Sequence, residues 1–243
     1  TDTVYVGVGE NVVIGDFGEA LFYASSGGIK KATSRETAHS STMLEVGARD
    51  VIRAFAEDDD SISLDRNVVL GGALNDTIVL SDGDDVVLGD YGVADFYESN
   101  GAVSAVSTSG ETAGGQDDIY VAGGADVVIG GADEDEVWAG VGENVVIGDH
   151  GYANFNETTK KITDAATSDP TKGAKDIVRV FEDTDTSSTT SDRNVVLGGA
   201  ADDQIILGGG DDVVLGDFGE IEFTYNNVAA ENYLTSAETT DSD

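Results

Sequence analysis

The sequence predicts an all-β fold, a right-handed parallel β-solenoid with loops or β-hairpins projecting from its wall. Three observations favour this fold: a nine-residue periodicity of glycine-rich turns and short apolar segments, long internal repeats, and four Gly-Asp-X-Gly motifs that each precede an alternating strand. The 32 glycines disfavour helix. The lack of cysteine excludes a disulfide framework and cysteine-based zinc or redox sites.

Long internal repeats divide the chain into two units. Residues 9–18 (GENVVIGDFG) recur with one change at 142–151, and residues 65–72 (DRNVVLGG) recur at 192–199. We therefore predict two units of roughly 130 residues within one continuous solenoid. The first unit is residues 1–133, which begin in mid-repeat, and the second is residues 134–243, an incomplete copy.

A finer periodicity of nine residues runs inside each unit. Asn67, Asp76 and Asp85 keep this spacing, and each is followed two places later by Val or Ile. The spacing does not fit an amphipathic helix, so each nonapeptide is expected to form one side of a flattened coil. Two nonapeptides complete a coil, and coils stack through strand hydrogen bonds about 4.8 Å apart. Asp118 and Asp126 are only eight residues apart, which predicts one irregular turn.

The Gly-Asp-X-Gly motif occurs at 15–18, 89–92, 148–151 and 216–219. A phenylalanine follows each motif at the same place, and a small or branched apolar residue stands two positions before it. Alternate residues of a strand share one face, so both apolar positions are expected to pack inward. The Ser-, Thr- and Gly-rich segments beyond are predicted to be loops or hairpins. The phenylalanines are Phe22, Phe96, Phe155 and Phe223.

The charge distribution requires a counter-ion. The formal net charge is -36, which argues against nucleic acid as a partner, and no apolar run is long enough to predict membrane insertion. Residues 67–159 contain 18 acidic residues and no Lys or Arg. Stacked coils would bring equivalent carboxylates to roughly 5 Å, where two charges repel by about 3 kcal/mol at an effective dielectric near ~20. A divalent cation between the turns would remove this repulsion.

The available ligands favour calcium. Carboxylates, asparagine oxygens and glycine carbonyls are hard oxygen donors in flexible turns, and Ca²⁺ takes 6–8 such oxygens at about 2.3–2.6 Å. Zinc and copper prefer His or Cys. Magnesium demands a tighter octahedron and keeps its waters.

Three nonapeptides carry a family resemblance: 71–79 (GGALNDTIV), 80–88 (LSDGDDVVL) and 207–215 (LGGGDDVVL). They resemble the repeats-in-toxin (RTX) pattern Gly-Gly-X-Gly-X-Asp-X-U-X. The resemblance implies a parallel β-roll that folds on binding several Ca²⁺ ions outside the cell, after type I secretion. It places seven residues at the side-chain ligand position: Asp76, Asp85, Asp118, Asp126, Asp135, Asp203 and Asp212. It also implies six buried apolar positions: Ile78, Val87, Val128, Val137, Ile205 and Val214.

The sequence departs from the RTX pattern at two kinds of position. Leu74, Asp133 and Ala201 replace the second turn glycine. Asparagine replaces the aspartate at positions 11, 67, 144 and 194, which predicts weaker binding or none there, although the candidate ligands include Asn67 and Asn194. The aspartates of the Gly-Asp-X-Gly motifs are further candidate ligands: Asp16, Asp90, Asp149 and Asp217.

These observations predict a non-catalytic, calcium-binding structural or assembly module of a secreted or cell-surface giant repeat protein, such as an adhesin, surface layer or filament. The alternative is a calcium-folded secretion or stability domain attached to a secreted protease or lipase. All 12 Lys and Arg residues lie within residues 30–66 and 160–193, the basic inserts. These inserts suggest head-to-tail or lateral assembly with further copies of the chain. His39 and His150 are expected to be a surface and a packing residue. The acidic runs 57–60 and 182–185 are either exposed corners or additional ion sites.

Overall fold

The computed structural model describes residues 1–35, 47–54, 65–109, 114–169, 171, 173–180, 192–226 and 231–240. In these residues it has 22 strands arranged in three sheets. Nowhere in this part of the chain does a helix occur that could cross a membrane. The all-β class predicted from the sequence is confirmed.

Two of the sheets are parallel, and each contains seven strands in the described residues. The outer sheet consists of β1 (Thr3–Val6), β5 (Val51–Ala54), β7 (Thr77–Leu80), β11 (Asp118–Val121), β13 (Glu136–Ala139), β17 (Ile177–Val180) and β19 (Gln204–Leu207). The central sheet consists of β2 (Asn11–Ile14), β6 (Asn67–Leu70), β8 (Val86–Leu88), β12 (Val127–Ile129), β14 (Val145–Ile147), β18 (Val195–Leu197) and β20 (Val213–Leu215). The chain alternates between them, so one outer and one central strand make a coil of the β-roll.

The third sheet, the hairpin sheet, is antiparallel and is built from four β-hairpins. Each hairpin begins at the last residue of a Gly-Asp-X-Gly motif, and one follows every second coil. The hairpins pair with one another along the roll, as β4 with β9, β10 with β15 and β16 with β21. They consist of β3 (Gly18–Phe22) with β4 (Ile29–Ser34), β9 (Gly92–Phe96) with β10 (Val103–Thr108), β15 (Gly151–Phe155) with β16 (Ile162–Thr167), and β21 (Gly219–Asn226) with β22 (Glu231–Thr239).

The central sheet is covered on both faces. In β6, Val68 and Leu70 pack against the hairpin sheet, whereas Val69 packs against the outer sheet. Strands buried on both faces need unbroken runs of aliphatic residues, which explains why Asn-Val-Val-Leu and Asn-Val-Val-Ile do not alternate with polar residues. The roll is therefore a three-layer structure with two apolar cores.

The sheets continue across residues 133 and 134, the predicted boundary between units. Strand β11 pairs with β13, β12 with β14, and β10 with β15. The division into residues 1–133 and 134–243 remains a prediction from the sequence repeats.

Candidate calcium-binding turns

A row of aspartates, the outer ladder, precedes the strands of the outer sheet. From the second described coil onward, each Oδ1 accepts a hydrogen bond from the backbone N–H of the ladder residue in the preceding coil, over donor–acceptor distances of 2.7 to 2.9 Å. The bonds join every successive pair along the row, so the side chains tie the coils together at this edge. The ladder consists of Asp2, Asp50, Asp76, Asp117, Asp135, Asp176 and Asp203.

A second row, the central ladder, lies at the start of the central strands and mixes amides with carboxylates. Asn67 N–H donates to Asp85 Oδ1 over 2.7 Å, and Asp85 N–H donates to Asp126 Oδ1 over 2.9 Å. The geometry matches that of the outer ladder. The central ladder consists of Asn11, Asn67, Asp85, Asp126, Asn144, Asn194 and Asp212.

The second carboxylate oxygen distinguishes the aspartates from ordinary buried polar groups. Eight ladder aspartates have a buried Oδ2 atom with no hydrogen-bond partner in the described structure. A buried polar atom without a partner costs about 1–3 kcal/mol, and more when it is charged. The eight are Asp50, Asp76, Asp117, Asp135, Asp176 and Asp203 of the outer ladder and Asp85 and Asp126 of the central ladder. Repetition of this cost coil after coil indicates positions where a cation belongs.

A column of six glycines shows how oxygens converge near the outer ladder. At Gly71, an added Cβ would lie within 3.0 Å of both Gly89 O and Asp76 Oδ2. The same arrangement of one carbonyl and one carboxylate oxygen occurs at every glycine of the column. Only glycine leaves this space open, and its size and oxygen lining suit Ca²⁺. The column consists of Gly15, Gly71, Gly89, Gly130, Gly148 and Gly198.

The acidic side chains are distributed along the roll. No three His, Asp or Glu side chains within the described ranges form a cluster that could hold a metal by themselves. Each described coil adds one carboxylate to the outer ladder, but only the coils of Asp85, Asp126 and Asp212 add one to the central ladder. A calcium ion at these turns would therefore take most of its 6–8 oxygens from backbone carbonyls.

Burial shifts the titration of the ladder carboxyl groups. Burial raises the pKa of Asp76 and Asp176 to about 8, and backbone hydrogen bonds offset only part of the shift. Burial also holds the pKa of Asp117 and Asp135 well above the usual range, and neighbouring carboxylates raise it further. The unliganded turns therefore disfavour the charged carboxylates that the sequence supplies.

The aspartates of the Gly-Asp-X-Gly motifs have protein donors for both oxygens. Asp16 accepts from Ala48 N–H over 3.0 Å and from Ala73 N–H over 2.7 Å, and the buried Asp90 and Asp149 make equivalent pairs of bonds. These contacts hold later turns in place where a hairpin leaves the roll. Asp217, in the last motif, is exposed. The metal-ligand role of all four residues remains a prediction.

Asp118, a predicted ligand, lies next to the outer ladder and not in it, and its metal-ligand role remains a prediction. Asp117, not Asp118, accepts the hydrogen bond from Asp76 N–H. Asp118 is the first residue of β11, where it lies in register with Thr77 and Glu136. The nine-residue spacing from Asp117 to Asp126 is regular, so no irregular turn exists there.

The apolar positions follow the prediction except at the last coil. Ile78, Val87, Val128 and Val137 are fully buried, as predicted, and Ile205 is half-buried. Val214, on β20, is 41% exposed because β19 and β20 are the last strands of their sheets in the described residues.

The phenylalanines of the hairpin sheet also pack inward as predicted, except at the edge of that sheet. Phe96 and Phe223 are buried, and Phe155 packs against the same core. Phe22 is 55% exposed because β3 is an edge strand.

Sequence reasoning missed Asp50, Asp117 and Asp176 as members of the outer ladder. Asp50 and Asp176 follow hairpins, so the nine-residue spacing does not reach them. A repeat would have revealed them, since residues 50–53 (DVIR) and 176–179 (DIVR) are copies in equivalent coils.

The three residues that replace a turn glycine adopt the conformation glycine would have had. The φ angles are 66° at Leu74, 66° at Asp133 and 75° at Ala201. A left-handed conformation costs roughly 1–2 kcal/mol for a residue with a Cβ. The turn shape is therefore kept despite the substitutions. His39 and the acidic runs 57–60 and 182–185 lie outside the described residues.

The stacked parallel coils and their buried carboxylate ladders define a metal-stabilised β-roll. Residues 61–92, 112–149 and 188–220 match the RTX calcium-binding nonapeptide repeat (4 copies). Neither the curated proteins nor the solved structures compared with the chain gave a match. These three segments are therefore similar to RTX repeats, which bind Ca²⁺ at several sites. Such repeats are structural rather than catalytic, and they are typical of secreted extracellular proteins.

Proposed function

We propose that this chain is a non-catalytic structural and assembly module of a giant secreted or cell-surface repeat protein, such as an adhesin, surface layer or filament. The observation that carries the proposal is the repetition of an unpartnered, buried carboxylate oxygen in successive coils. A solenoid lengthens by whole coils without a new core, so such a module makes an extensible rod.

Calcium would be held by the Oδ2 atoms of the outer ladder and the carbonyls of the glycine column. When bound, the ion supplies positive charge between carboxylates that otherwise repel one another. The ladder hydrogen bonds set the stacking distance, and the glycines keep the space open. Asp85 and Asp126 supply equivalent oxygens at the opposite edge.

Two finer features belong to the same proposal. The coil is right-handed, because parallel strands joined by a crossover are right-handed in nearly all known cases. The chain leaves the cell unfolded by type I secretion and folds where calcium is abundant. The buried carboxylates support this order of events, since they oppose folding until an ion arrives.

The basic inserts are also candidates for contacts between copies of the chain. Within the chain, Lys31 on β4 pairs with Asp95 on β9 over 3.2 Å, and Lys161 pairs with Glu143 at the edge of the roll. These contacts show basic hairpin residues meeting acidic partners in neighbouring elements. The same complementarity would support head-to-tail or lateral assembly.

Calcium removal tests the proposal. Circular dichroism in EGTA at pH 8 is expected to show loss of the strand signal, and millimolar calcium is expected to restore it. Sedimentation velocity of the calcium-loaded chain at rising concentration measures assembly. A strand signal that withstands exhaustive chelation would refute calcium-dependent folding. A chain that stays monomeric at all concentrations would contradict the assembly role and retain only the role of a structural spacer.

The alternative is a calcium-folded domain attached to a secreted protease or lipase. The two functions differ in the sequence expected to flank this chain in the full polypeptide. Further units of roughly 130 residues on either side would support the structural module. A neighbouring catalytic domain would favour the alternative.

A further inference from the structure

The central ladder alternates in pairs along the roll. Asn occupies the first two coils, Asp the next two, Asn the following two, and Asp the seventh. The outer ladder shows no such alternation, since all seven of its described members are aspartates. The two edges of the roll therefore differ chemically. The order in the central ladder is Asn11, Asn67, Asp85, Asp126, Asn144, Asn194 and Asp212.

The asparagine amides occupy the turns with protein hydrogen bonds. Asn11 Nδ2 lies 2.9 Å from Gly7 O, 2.7 Å from Gly9 O and 2.8 Å from Asn67 Oδ1. A nitrogen donor thus sits among three oxygens from two coils. Oxygens that converge in this way would otherwise surround a cation.

The second asparagine pair repeats this arrangement. Asn144 Nδ2 lies 2.9 Å from Gly140 O, 3.3 Å from Gly142 O and 3.2 Å from Asn194 Oδ1. Asp126 N–H donates to Asn144 Oδ1 over 3.1 Å, which fixes the orientation of the amide. The NH₂ group must then point at the turn carbonyls.

Asp126 holds the same ladder position with the opposite chemistry. Its Oδ1 accepts from Asp85 N–H over 2.9 Å, as Asn144 Oδ1 accepts from Asp126. Its Oδ2 takes the place of the amide nitrogen, and the residue is only 1% exposed. That oxygen has no hydrogen-bond partner in the described part of the chain. Two acceptors cannot satisfy one another, so the ionised carboxylate requires a cation where the amide does not.

A basic residue directly precedes the second asparagine of each pair. Arg66 and Arg193 directly precede Asn67 and Asn194, and Arg66 pairs with Glu10 over 3.4 Å beside the first asparagine pair. The residues that precede the aspartates of the central ladder are Asp84, Ala125 and Asp211. Glu10 and Glu143 precede the other two asparagines, and each of them pairs with a basic residue.

We propose that the asparagine side-chain amides of the central ladder take the place of calcium ions, so that this edge binds calcium only at its aspartate turns. The inference rests on the proposed calcium-dependent fold and states which turns of that fold hold the ions. Metal-free and metal-binding turns then alternate in pairs, while the outer ladder is acidic throughout. The coils at Asn11–Asn67 and Asn144–Asn194 keep their central edge closed without an ion.

Exchanging the two residue types tests the proposal. The double variant Asp85→Asn, Asp126→Asn is expected to bind at least one calcium ion fewer than the wild type, counted by native mass spectrometry. Its strand signal in saturating calcium is expected to be unchanged, because the new amides can donate to the turn carbonyls. The reverse variant Asn144→Asp, Asn194→Asp is expected to bind at least one ion more and to need more calcium to fold.

The control variant Asp95→Asn, Asp164→Asn removes two charges in the hairpin sheet, outside the ladders, and should keep the wild-type ion count. An unchanged count in the Asp85, Asp126 variant would overturn the proposal. Its failure to fold in saturating calcium, together with no gain of an ion in the reverse variant, would do the same. A wild-type chain that binds no calcium would instead refute the proposed function, so the two failures are distinguishable.

Discussion

At the residue scale, each ladder aspartate divides two tasks between its two oxygens. Asp76 Oδ1 accepts the Asp50 N–H over 2.7 Å, which aligns the coils. Its Oδ2 points into the space beside Gly71. The first contact is made by protein alone, whereas the second oxygen needs a partner that the described side chains do not provide. Alignment and metal binding thus depend on the same residue.

The glycine column should tolerate no side chain. In Gly71→Ala the new methyl would lie within 3.0 Å of Gly89 O and Asp76 Oδ2, both held by the backbone or the ladder. We expect a loss of several kcal/mol of unfolding free energy and weaker calcium binding, measured by urea denaturation and calorimetry. Gly216→Ala is the control, because nothing lies within 4 Å of its added Cβ. Equal effects of the two substitutions would contradict this account.

At the scale of the elements, the central strands are the part most enclosed by the rest of the protein. They contribute alternate residues to two separate cores, one shared with the outer sheet and one with the hairpin sheet. Arg66 lies over the Phe96 ring at 5.0 Å, and Tyr97 OH donates to Phe155 O over 2.7 Å. These contacts fasten the hairpins to the roll and to each other. The inserts are therefore a structural layer of the roll.

Two equivalent valines show how much burial of the central strands contributes to the unfolding free energy. Val87 is fully buried, whereas Val214 has the same place in the last coil and is 41% exposed. Val87→Ala is expected to lower the unfolding free energy of the calcium-loaded protein by about 2 kcal/mol, since it removes buried methyl groups and leaves a cavity. Val214→Ala should cost less than about 0.5 kcal/mol. Thermal denaturation of both variants in saturating calcium provides the comparison.

At the scale of the whole molecule, the excess of acidic residues determines the conditions under which the roll can form. The net charge of -36 opposes compaction, and the buried ladders concentrate that charge at the edges of the sheets. The acidic residues in these rows are the proposed calcium ligands. The roll therefore couples its own stability to the ion concentration around it.

Without calcium, stability should fall as the pH rises. Burial raises the pKa of Asp85 to about 6 and that of Asp76 to about 8, from a usual value near 3.8. The folded state then holds protons that the unfolded state releases, so unfolding free energy is lost between about pH 4 and about pH 8. Circular dichroism of the calcium-free chain, stripped on a chelating resin at pH 8 and dialysed into calcium-free buffer, should show more strand signal at pH 5 than at pH 8.

Salt provides the control for this pH dependence. About 0.5 M salt screens repulsion between exposed carboxylates but acts much less on buried groups. The difference between pH 5 and pH 8 should therefore persist in salt. Saturating calcium should reduce it, because a bound ion replaces the proton. A strand signal of the calcium-free chain that rises with pH would contradict the assignment.

Much of the site could be predicted from the sequence, because glycine turns and aspartates recur where coils are uninterrupted. Asp76, Asp85, Asp126, Asp135, Asp203 and Asp212 lie in the ladders at the predicted positions. Asp50 and Asp176 could not be found by counting, since a hairpin separates each from the preceding coil. Asp117 and Asp118 are adjacent carboxylates, and only strand register distinguishes them.

The sequence by itself determined the parallel β-roll, its acidic turns and the choice of calcium, because these follow from local spacing and from the oxygen donors supplied. Only the tertiary structure decided that the four inserts join into one sheet over the central strands. That sheet depends on hairpins distant in sequence meeting in register, which a local period does not encode. Tertiary structure also decided which oxygens lack a partner, because a carboxylate and an amide of the same shape differ only in what their neighbours offer.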